Sequence, residues 1–243
     1  MRFDLVTIFP DMLRGLFDYG VVGRAVRSGL VEIAAHDLRQ YTRDPHRTTD
    51  DRPFGGGEGM VMKIEPIYDC LADLLGQSER AARQASGQQE QVRVILLSAQ
   101  GHVFNQAVAR RFAGLARIVL ICGRYEGVDE RVAEHLADEE LSLGDFVLSG
   151  GELAAACVLD AVARLLPGVV GHEQSIVNES FAAEAGATIL DCPQYTRPVD
   201  FHGWIVPDVL RGGDHAAIAA WRREQALYKT RANRPDLLAE SRR

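Results

Sequence analysis

Short apolar runs that end in polar, glycine-containing turns constrain the fold of this chain more than any other feature. Segments with the apolar spacing of a helix lie between these runs, and the longest such segment follows them over residues 152–166. Strands that alternate with helices are typical of a parallel sheet covered by helices, so the sequence predicts an α/β fold. The three runs and their turns are VRVILL (92–97) before SAQG, IVLIC (118–122) before GRYEG, and DFVL (145–148) before SGG.

The three turns together predict a ligand pocket. In open α/β sheets, ligands bind beyond the carboxyl ends of the strands, and glycine lets backbone N–H and C=O groups approach a ligand closely. A pocket lined by main chain suits a ligand with a purine and an amino-acid moiety. The motifs G-x-x-x-x-G-K-[ST] and strand-G-x-G-x-x-G are absent, which excludes a Walker A site and a dinucleotide fingerprint. Each turn taken alone is also compatible with ordinary tight-turn glycine.

Composition places the chain among folded proteins. Of its 243 residues, 47% are hydrophobic and 25% are charged, which excludes disorder of the whole chain. No apolar run approaches the roughly 20 residues that span a bilayer, and the N-terminus lacks the features of a signal peptide, so we expect a cytoplasmic protein without membrane partners. The net charge of −7 argues weakly against a general nucleic-acid coat protein, but residues 221–243 carry seven Lys or Arg against three Asp or Glu.

The four cysteines indicate no special chemistry. Dozens of residues separate Cys70, Cys122, Cys157 and Cys192, and no C-x-x-C pair exists. A zinc site and a redox dithiol are therefore not expected. We predict buried free thiols and no disulfides.

Polar segments divide the chain. A loop over 37–59 is longer than structural connections usually are, which is typical of functional or disordered loops, and the low-complexity stretch 76–91 predicts a mobile surface excursion. Before them, the sequence predicts a strand over Phe3–Phe9 and a helix over Asp11–Asp18.

Few regular signals lie between residues 168 and 186, and Asp214 is a good N-cap for a helix in the tail. We therefore expect a catalytic domain over 1–166, a flexible linker over 167–186 and a small helical domain over 187–243.

Several long, ordered stretches carry a family resemblance that extends from residue 3 to about 238. The chain closely resembles the bacterial tRNA (guanine-N1)-methyltransferases of the TrmD family, which are knotted SPOUT methyltransferases. The matching stretches are FPDM…DYGVVGRAV (9–26), HRTTDDRPFGGGEGMVM (46–62), LSAQG (97–101), CGRYEGVDERV (122–132), LSLGDFVLSGGELAA (141–155), LLPGVVGHEQS (165–175) and DCPQYTRP (191–198).

The resemblance implies an α/β domain with a deep trefoil knot, a topology that is rare among proteins. It also implies a homodimer with each active site built across the interface. Its methyl donor would be S-adenosylmethionine, with magnesium required. Its product would be 1-methylguanosine at position 37 of tRNA, beside the anticodon, with S-adenosylhomocysteine released.

Two residues match the family's catalytic positions. Arg164 corresponds to the arginine that stabilises developing charge on guanine O6, although it also lies four residues after Asp160, where an ion pair within one helix is possible. Glu179 corresponds to the general base, which is an aspartate in the family's D-S-F triplet and a longer carboxylate here.

The resemblance also implies the residues that hold the methyl donor. Main-chain groups would hold the adenine, and Glu126 would lie near the methionine end, where a turn-capping role is the alternative. The residues implied are Leu96, Ser98, Gly123, Glu126, Leu143, Gly144, Asp145, Phe146, Val147, Leu148, Gly150 and Gly151. The ligands of the magnesium ion stay open, and Glu126 would act on the amine of the methionine or on a metal ion.

The same resemblance implies that two regions of the chain bind tRNA. In the long loop, His46, Arg47, Asp50 and Arg52 would face the tRNA, and a structural role remains open for the histidine. In the basic tail, Arg222 and Arg223 would contact the phosphate backbone, and a solvated helix face is the alternative for each.

Two other functions remain open from the sequence. A non-catalytic RNA-binding module is favoured only by glutamate in place of the family's aspartate, and the three ligand turns argue against it. A related enzyme that methylates another RNA atom is disfavoured by the 46–62 and 191–198 stretches.

Overall fold

A parallel sheet organises the first part of the chain. The computed structural model describes residues 1–13, 15–171, 179–184 and 187–240. The chain divides into two units, Met1–Gly171 and His172–Arg243. This division lies close to the start of the linker expected from the sequence, whose boundaries remain a prediction.

The first unit contains a five-stranded sheet in the order β2-β1-β6-β5-β7, in which all paired strands are parallel. The α/β class predicted from the sequence is thus confirmed. The elements of this unit are β1 (Arg2–Thr7), α1 (Gly20–Arg27), β2 (Glu32–Asp37), β3 (Asp50–Asp51), β4 (Val61–Met62), α2 (Ile64–Leu75), α3 (Arg80–Ala85), β5 (Val92–Val103), α4 (Gln106–Ala113), β6 (Arg117–Cys122), a π-helical turn (Val132–Leu136), β7 (Glu139–Ser142) and α5 (Glu152–Ala163).

The central strands are apolar on both faces because helices cover both faces of the sheet. Successive residues of a strand point to opposite sides. In β6, Leu120 and Cys122 pack in a cluster that includes residues of α1, α4 and α5. The alternate residues Val119 and Ile121 pack in a second cluster with residues of α2 and the π-helical turn. The near-continuous apolar runs of the sequence therefore reflect a three-layer arrangement.

The strand predicted over residues 145–148 is wrong. Strand β7 instead comprises Glu139–Ser142, and residues 145–148 form no strand. Hydrophobicity misses β7 because half of it is glutamate, whose side chains find polar partners: Glu139 pairs with Arg111. The apolar side chain of Val147 is 86% exposed, so this run does not mark a core strand.

Two other local predictions are also wrong. Residues 11–13 and 15–18 form turns and bends, and the first helix begins only at Gly20. The stretch 76–91 contains helix α3, in which Arg83 is fully buried and donates to the carbonyl oxygen of Leu136 at 2.5 Å and to Asp138 at 3.0 Å. A low-complexity composition does not reveal such a buried arginine.

The second unit is small and mixed. Its described elements are β8 (Ala182–Glu184), β9 (Ala187–Ile189), β10 (Asp200–Phe201), β11 (Trp204–Ile205), α6 (His215–Asn233) and α7 (Asp236–Glu240). As predicted, Asp214 caps α6 by accepting from the backbone N–H groups of Ala216 and Ala217. Thr230 of α6 is fully buried and accepts from Leu190 N–H at 2.9 Å, which ties the helix to the end of β9. None of the described helices is both long enough and apolar enough to cross a membrane.

A buried carboxylate ties three strands of the sheet together. Asp4 in β1 is fully buried and contacts His36 of β2 at 2.7 Å, Arg117 of β6 at 2.6 Å and Arg2 at 3.1 Å. Burial by itself raises the pKa of Asp4, but the hydrogen bonds from His36, Arg2 and Arg117 outweigh it and hold the pKa well below its ordinary value. The carboxylate is therefore stable only as an anion among these partners.

We expect Asp4→Asn to lower the free energy of unfolding by about 2–4 kcal/mol at neutral pH, because it removes the buried carboxylate that pairs with the partly buried Arg117 and His36. Since the folded-state pKa lies below that of the unfolded chain, near 3.9, the contribution of Asp4 is present above about pH 4 and is lost as the pH falls below it. Urea denaturation at pH 7, 5, 4 and 3 measures this, and the difference between wild type and variant should shrink at low pH. Asp208, 91% exposed, provides the control Asp208→Asn, and a comparable loss there would contradict the prediction.

Candidate active site at the carboxyl ends of the strands

A pocket opens at the carboxyl ends of β6 and β7 and at a bulge within β5. Its cavity volume is about 230 Å³, and it is lined by residues 96–100, 123–128, 130, 140–143, 146–151 and 154. These segments include the three glycine turns, the end of β7 with the residues that follow it, and the start of α5. The position agrees with the rule that ligands bind beyond the carboxyl ends of parallel strands.

The first wall of the pocket is a bulge in β5. Both Leu97 and His102 pair with Leu141 of β7, so residues 98–101 leave the ladder. Gly101 permits this, because a Cβ atom there would collide with the backbone of Glu140 and Leu141. Ser98 in the bulge donates to Glu140 of β7 at 2.5 Å, which joins the two strands by side chains at the point where main-chain pairing stops.

The second wall is formed by two turns in direct contact. Gly151 N–H donates to the carbonyl oxygen of Gly123 at 2.8 Å, and Arg124 and Gly150 form an isolated antiparallel bridge. A Cβ atom on Gly151 would lie 2.7 Å from Cys122 Cα. The turn after β6 and the turn before α5 can therefore approach this closely only with glycine at position 151.

The charges of the pocket are mainly negative. Glu126, Glu130 and Glu140 are among the residues that line it, against the cation of Arg124, which is itself paired with the buried Glu152 at 2.9 Å. Such a lining favours a positively charged ligand. Cys122 lies beneath, where burial raises the pKa of its thiol well above the ordinary value, so it is a neutral core group.

Most residues that the sequence implies for the cofactor line this pocket together. Leu96, Ser98, Gly123, Glu126, Leu143, Phe146, Val147, Leu148, Gly150 and Gly151 do so, whereas Gly144 and Asp145 do not. Sequence reasoning missed Gln100, Arg124, Glu130 and Glu140. The first three lie inside the quoted motifs and could have been named, but Glu140 is recognisable only once β7 is placed beside β5.

The long loop is fastened to the rim of this pocket. Met62 N–H donates to Gly127 and Glu126 N–H donates to Met60, both at 2.9 Å, and Met62 also bridges to Val128. His46, Arg47 and Arg52 are exposed on this loop, and Asp50 is half-buried in β3. The structure therefore places the four loop residues implied for tRNA binding on a segment anchored beside the pocket.

Comparison with known proteins decides the family. The model of the family described as tRNA (Guanine-1)-methyltransferase TrmD matches residues 1–240. Curated relatives named tRNA (guanine-N(1)-)-methyltransferase include proteins of Koribacter versatilis, 54% identical over 98% of this chain and 92% of the relative, and of Methylococcus capsulatus, 52% identical over 98% and 90%. A third, from Heliobacterium modesticaldum, is 50% identical over 98% of this chain and 84% of its own. The chain belongs to the tRNA (guanine-1)-methyltransferase family.

The family's catalytic arginine position falls at the far end of α5 from the pocket. Arg164 is the C-cap of this helix, whereas Gly151 is its N-cap and lines the pocket. The twelve residues of the helix separate the two caps by about 20 Å, more than an arginine side chain can reach. Within one chain, the structure does not bring Arg164 to the pocket.

The position of the family's general base lies in the second unit. Glu179 follows residues 172–178, which are outside the described part of the chain, and it is half-buried. Its neighbours are well anchored: Ser180 accepts from Asp191 N–H at 3.0 Å, and Phe181 N–H donates to Ile189 at 2.8 Å. Arg222 and Arg223 are exposed on α6 of the same unit.

We expect Gly151→Ala to lower the free energy of unfolding by about 1–3 kcal/mol, because the added methyl would press on the backbone of Cys122 and Gly123, which cannot rotate away. Gly114→Ala is the matched control, since its nearest neighbour, Arg111 O, lies at an ordinary 3.5 Å. Urea denaturation of both variants measures the difference. Equal effects at the two positions would contradict the contact that we describe between the turns.

Proposed function

We propose that this protein transfers a methyl group from S-adenosylmethionine to N1 of guanine at position 37 of tRNA, which gives 1-methylguanosine and S-adenosylhomocysteine. The match of the whole chain to the tRNA (guanine-1)-methyltransferase family carries the proposal. The pocket at the ends of β6 and β7 and at the bulge within β5 supports it independently, because its chemistry fits the methyl donor.

The fit rests on charge and on apolar surface. S-adenosylmethionine carries a sulfonium and an ammonium group, which the lining carboxylates of Glu126, Glu130 and Glu140 would attract. Phe146 and Val147 line the pocket although 55% and 86% exposed, so they offer apolar surface to an adenine ring. When bound, this molecule supplies an electrophilic methyl group, so the protein needs no covalent intermediate.

The chain's own residues would move a proton and stabilise charge. N1 of guanine carries a proton near neutral pH, and Glu179 would accept it as general base. Negative charge then develops on O6, where the guanidinium of Arg164 would stabilise it. Positioning of the two reactants supplies much of the remaining rate.

Anchoring of the Glu179-Ser180-Phe181 triplet supports this role. Besides the hydrogen bonds of the Ser180 hydroxyl and the Phe181 backbone, the guanidinium of Arg234 lies 5.9 Å from the Phe181 ring centre. Phe181 has a positive φ of 68°, a conformation that persists only where surrounding contacts hold it. The base would thus be carried on a segment of defined shape, although it is one methylene longer than aspartate.

We expect Glu179→Gln to reduce kcat for tRNA methylation by about 100- to 10,000-fold, because the amide cannot accept the N1 proton. Glu179→Asp is the control, since it keeps the carboxylate and should retain most of the activity. Transfer of a labelled methyl group to a tRNA with guanine at position 37 measures both. Unchanged activity of Glu179→Gln would contradict the assignment of the base.

Mapping the modified nucleotide by mass spectrometry separates the other functions. A methyl group on another base or ribose atom would favour the related enzyme, and binding of tRNA without methylation would favour the non-catalytic module. The position of the methyl group on N1 of guanine 37 is the outcome that we expect.

We extend the proposal to a homodimer in which each site uses both chains. On helix α5, Leu153, Cys157 and Asp160 are exposed and share one helical face with Arg164, while the other faces are buried. Leu153 is 48% exposed although apolar, so a partner that covered this face would bury apolar surface. In a two-fold contact across this face, antiparallel α5 helices would bring the end that bears Arg164 to the partner's pocket.

The deep trefoil knot of the first unit and a cytoplasmic location are parts of the same proposal and rest on the family membership. The exposed Arg52, Arg222 and Arg223 would contact tRNA phosphates. In the described residues, no three His, Cys, Asp or Glu are grouped to hold a metal ion. The magnesium requirement that the resemblance implies stays a prediction, and we derive no step from that ion.

We expect mixed dimers of Arg164→Ala and Ser98→Trp subunits to regain activity, although each variant alone is inactive. Ser98→Trp fills the pocket of its own chain, so a mixed dimer keeps one complete site, with the pocket from one chain and Arg164 from the other. Purification through two different tags and a methyl-transfer assay measure this, with roughly half of the wild-type rate expected. Mixed dimers as inactive as their parents would show that pocket and arginine serve from the same chain.

A further inference from the structure

Arg124 and Glu152 form a buried ion pair behind the pocket that the family's mechanism does not use. Arg124 Nε donates to Glu152 Oε2 at 2.9 Å, and the side chains of Arg124 and Glu152 are only 14% and 1% exposed. Thr7 at the end of β1 donates to the other carboxylate oxygen at 2.6 Å. We propose that this Arg124–Glu152–Thr7 latch is the positioning device that sets the distance between the two glycine turns and thereby the affinity for the methyl donor.

The latch joins both turns of the pocket wall. Besides its bond to Glu152, Arg124 donates through Nη1 to the carbonyl oxygen of Ser149 at 3.0 Å. Its backbone also pairs with Gly150. One side chain of the turn after β6 thus holds the turn before α5 at two points, and Glu152 stands in the first turn of that helix.

The path of the Arg124 side chain explains why position 150 is a glycine. A Cβ atom at this position would collide with Nε, Cδ and Cζ of Arg124. The guanidinium therefore crosses directly over Gly150 to reach Glu152. Glycine is required here so that the arginine can pass.

Each nitrogen of the Arg124 guanidinium already has a partner within the protein, which favours a positioning role over ligand binding. Nε and Nη2 both face Glu152, Nη2 also contacts Met12 Sδ at 3.1 Å, and Nη1 binds Ser149. The guanidinium also stacks 4.7 Å from the ring centre of Phe9. An arginine that served to bind a tRNA phosphate would instead present its planar fork of donors to the anion.

Binding of S-adenosylhomocysteine tests the latch without requiring turnover. We expect Arg124→Gln and Glu152→Gln each to weaken this binding by about 10- to 100-fold, since displacement of pocket walls by ~1 Å has effects of that size. The double variant should be no weaker than the worse single variant, because all three lose the same contact. Titration calorimetry measures the dissociation constants. Singles whose effects multiply in the double variant would overturn the inference.

Two comparisons guard against a general loss of stability. Arg83→Gln breaks a buried arginine–aspartate pair with Asp138, which lies outside the pocket lining, and should destabilise the protein without changing S-adenosylhomocysteine binding. Thr7→Val removes only one hydroxyl from Glu152 and should weaken binding by about two- to fivefold, whereas Thr7→Ser should restore it. Weakened binding in Arg83→Gln equal to that in Arg124→Gln would reduce the latch to a stability element and overturn the inference.

The inference rests on the proposed function, and its failure is distinguishable from failure of that function. Absence of S-adenosylhomocysteine binding by the wild-type protein would overturn both. Wild-type binding that persists unchanged in Arg124→Gln and Glu152→Gln would overturn the latch alone. A defect confined to Arg124→Gln, with a smaller salt dependence of tRNA binding, would assign Arg124 to a phosphate contact instead.

Discussion

Close contact between the turn after β6 and the turn before α5 is the constraint on which the site depends. The backbone bond from Gly151 to Gly123 brings the turns together, and the absent side chains of Gly150 and Gly151 make room for Arg124 and for the backbone of Cys122. Without this contact, the segments that line the pocket would belong to separate loops. Their ligand groups would then have no common geometry.

The charge of the chain and of its pocket limits how tRNA can bind. The chain is acidic overall, with a net charge of −7, and the pocket continues this sign through Glu126, Glu130 and Glu140. Such a surface suits a cationic methyl donor and repels an RNA backbone, so contacts to tRNA must be local. The exposed arginines of the loop and of α6 are placed where they could provide them.

The two ends of helix α5 have different proposed roles, one at the pocket and one at the dimer contact. The N-terminal end of the helix lines the pocket, while its C-terminal end carries Arg164 on the same exposed face as Leu153 and Cys157. Within one chain, Arg164 and the pocket end of the helix are about 20 Å apart. In the proposed dimer, two-fold symmetry would place the Arg164 end of each α5 helix beside the pocket of the other chain.

The sequence by itself determined the α/β class, the strands β5 and β6, the cap at Asp214 and the three glycine turns at the pocket, because apolar runs, turn glycines and capping side chains act over a few residues. It led to a wrong strand at 145–148 and did not reveal the buried Arg83, since apolar residues also serve at exposed rims and charged ones are buried when partners reach them. Only the tertiary structure decided that Glu140 faces Ser98, that Arg124 crosses Gly150 to Glu152, and that Arg164 lies a helix length from its own pocket. Each of these depends on which distant segments meet, and no local pattern records that distance.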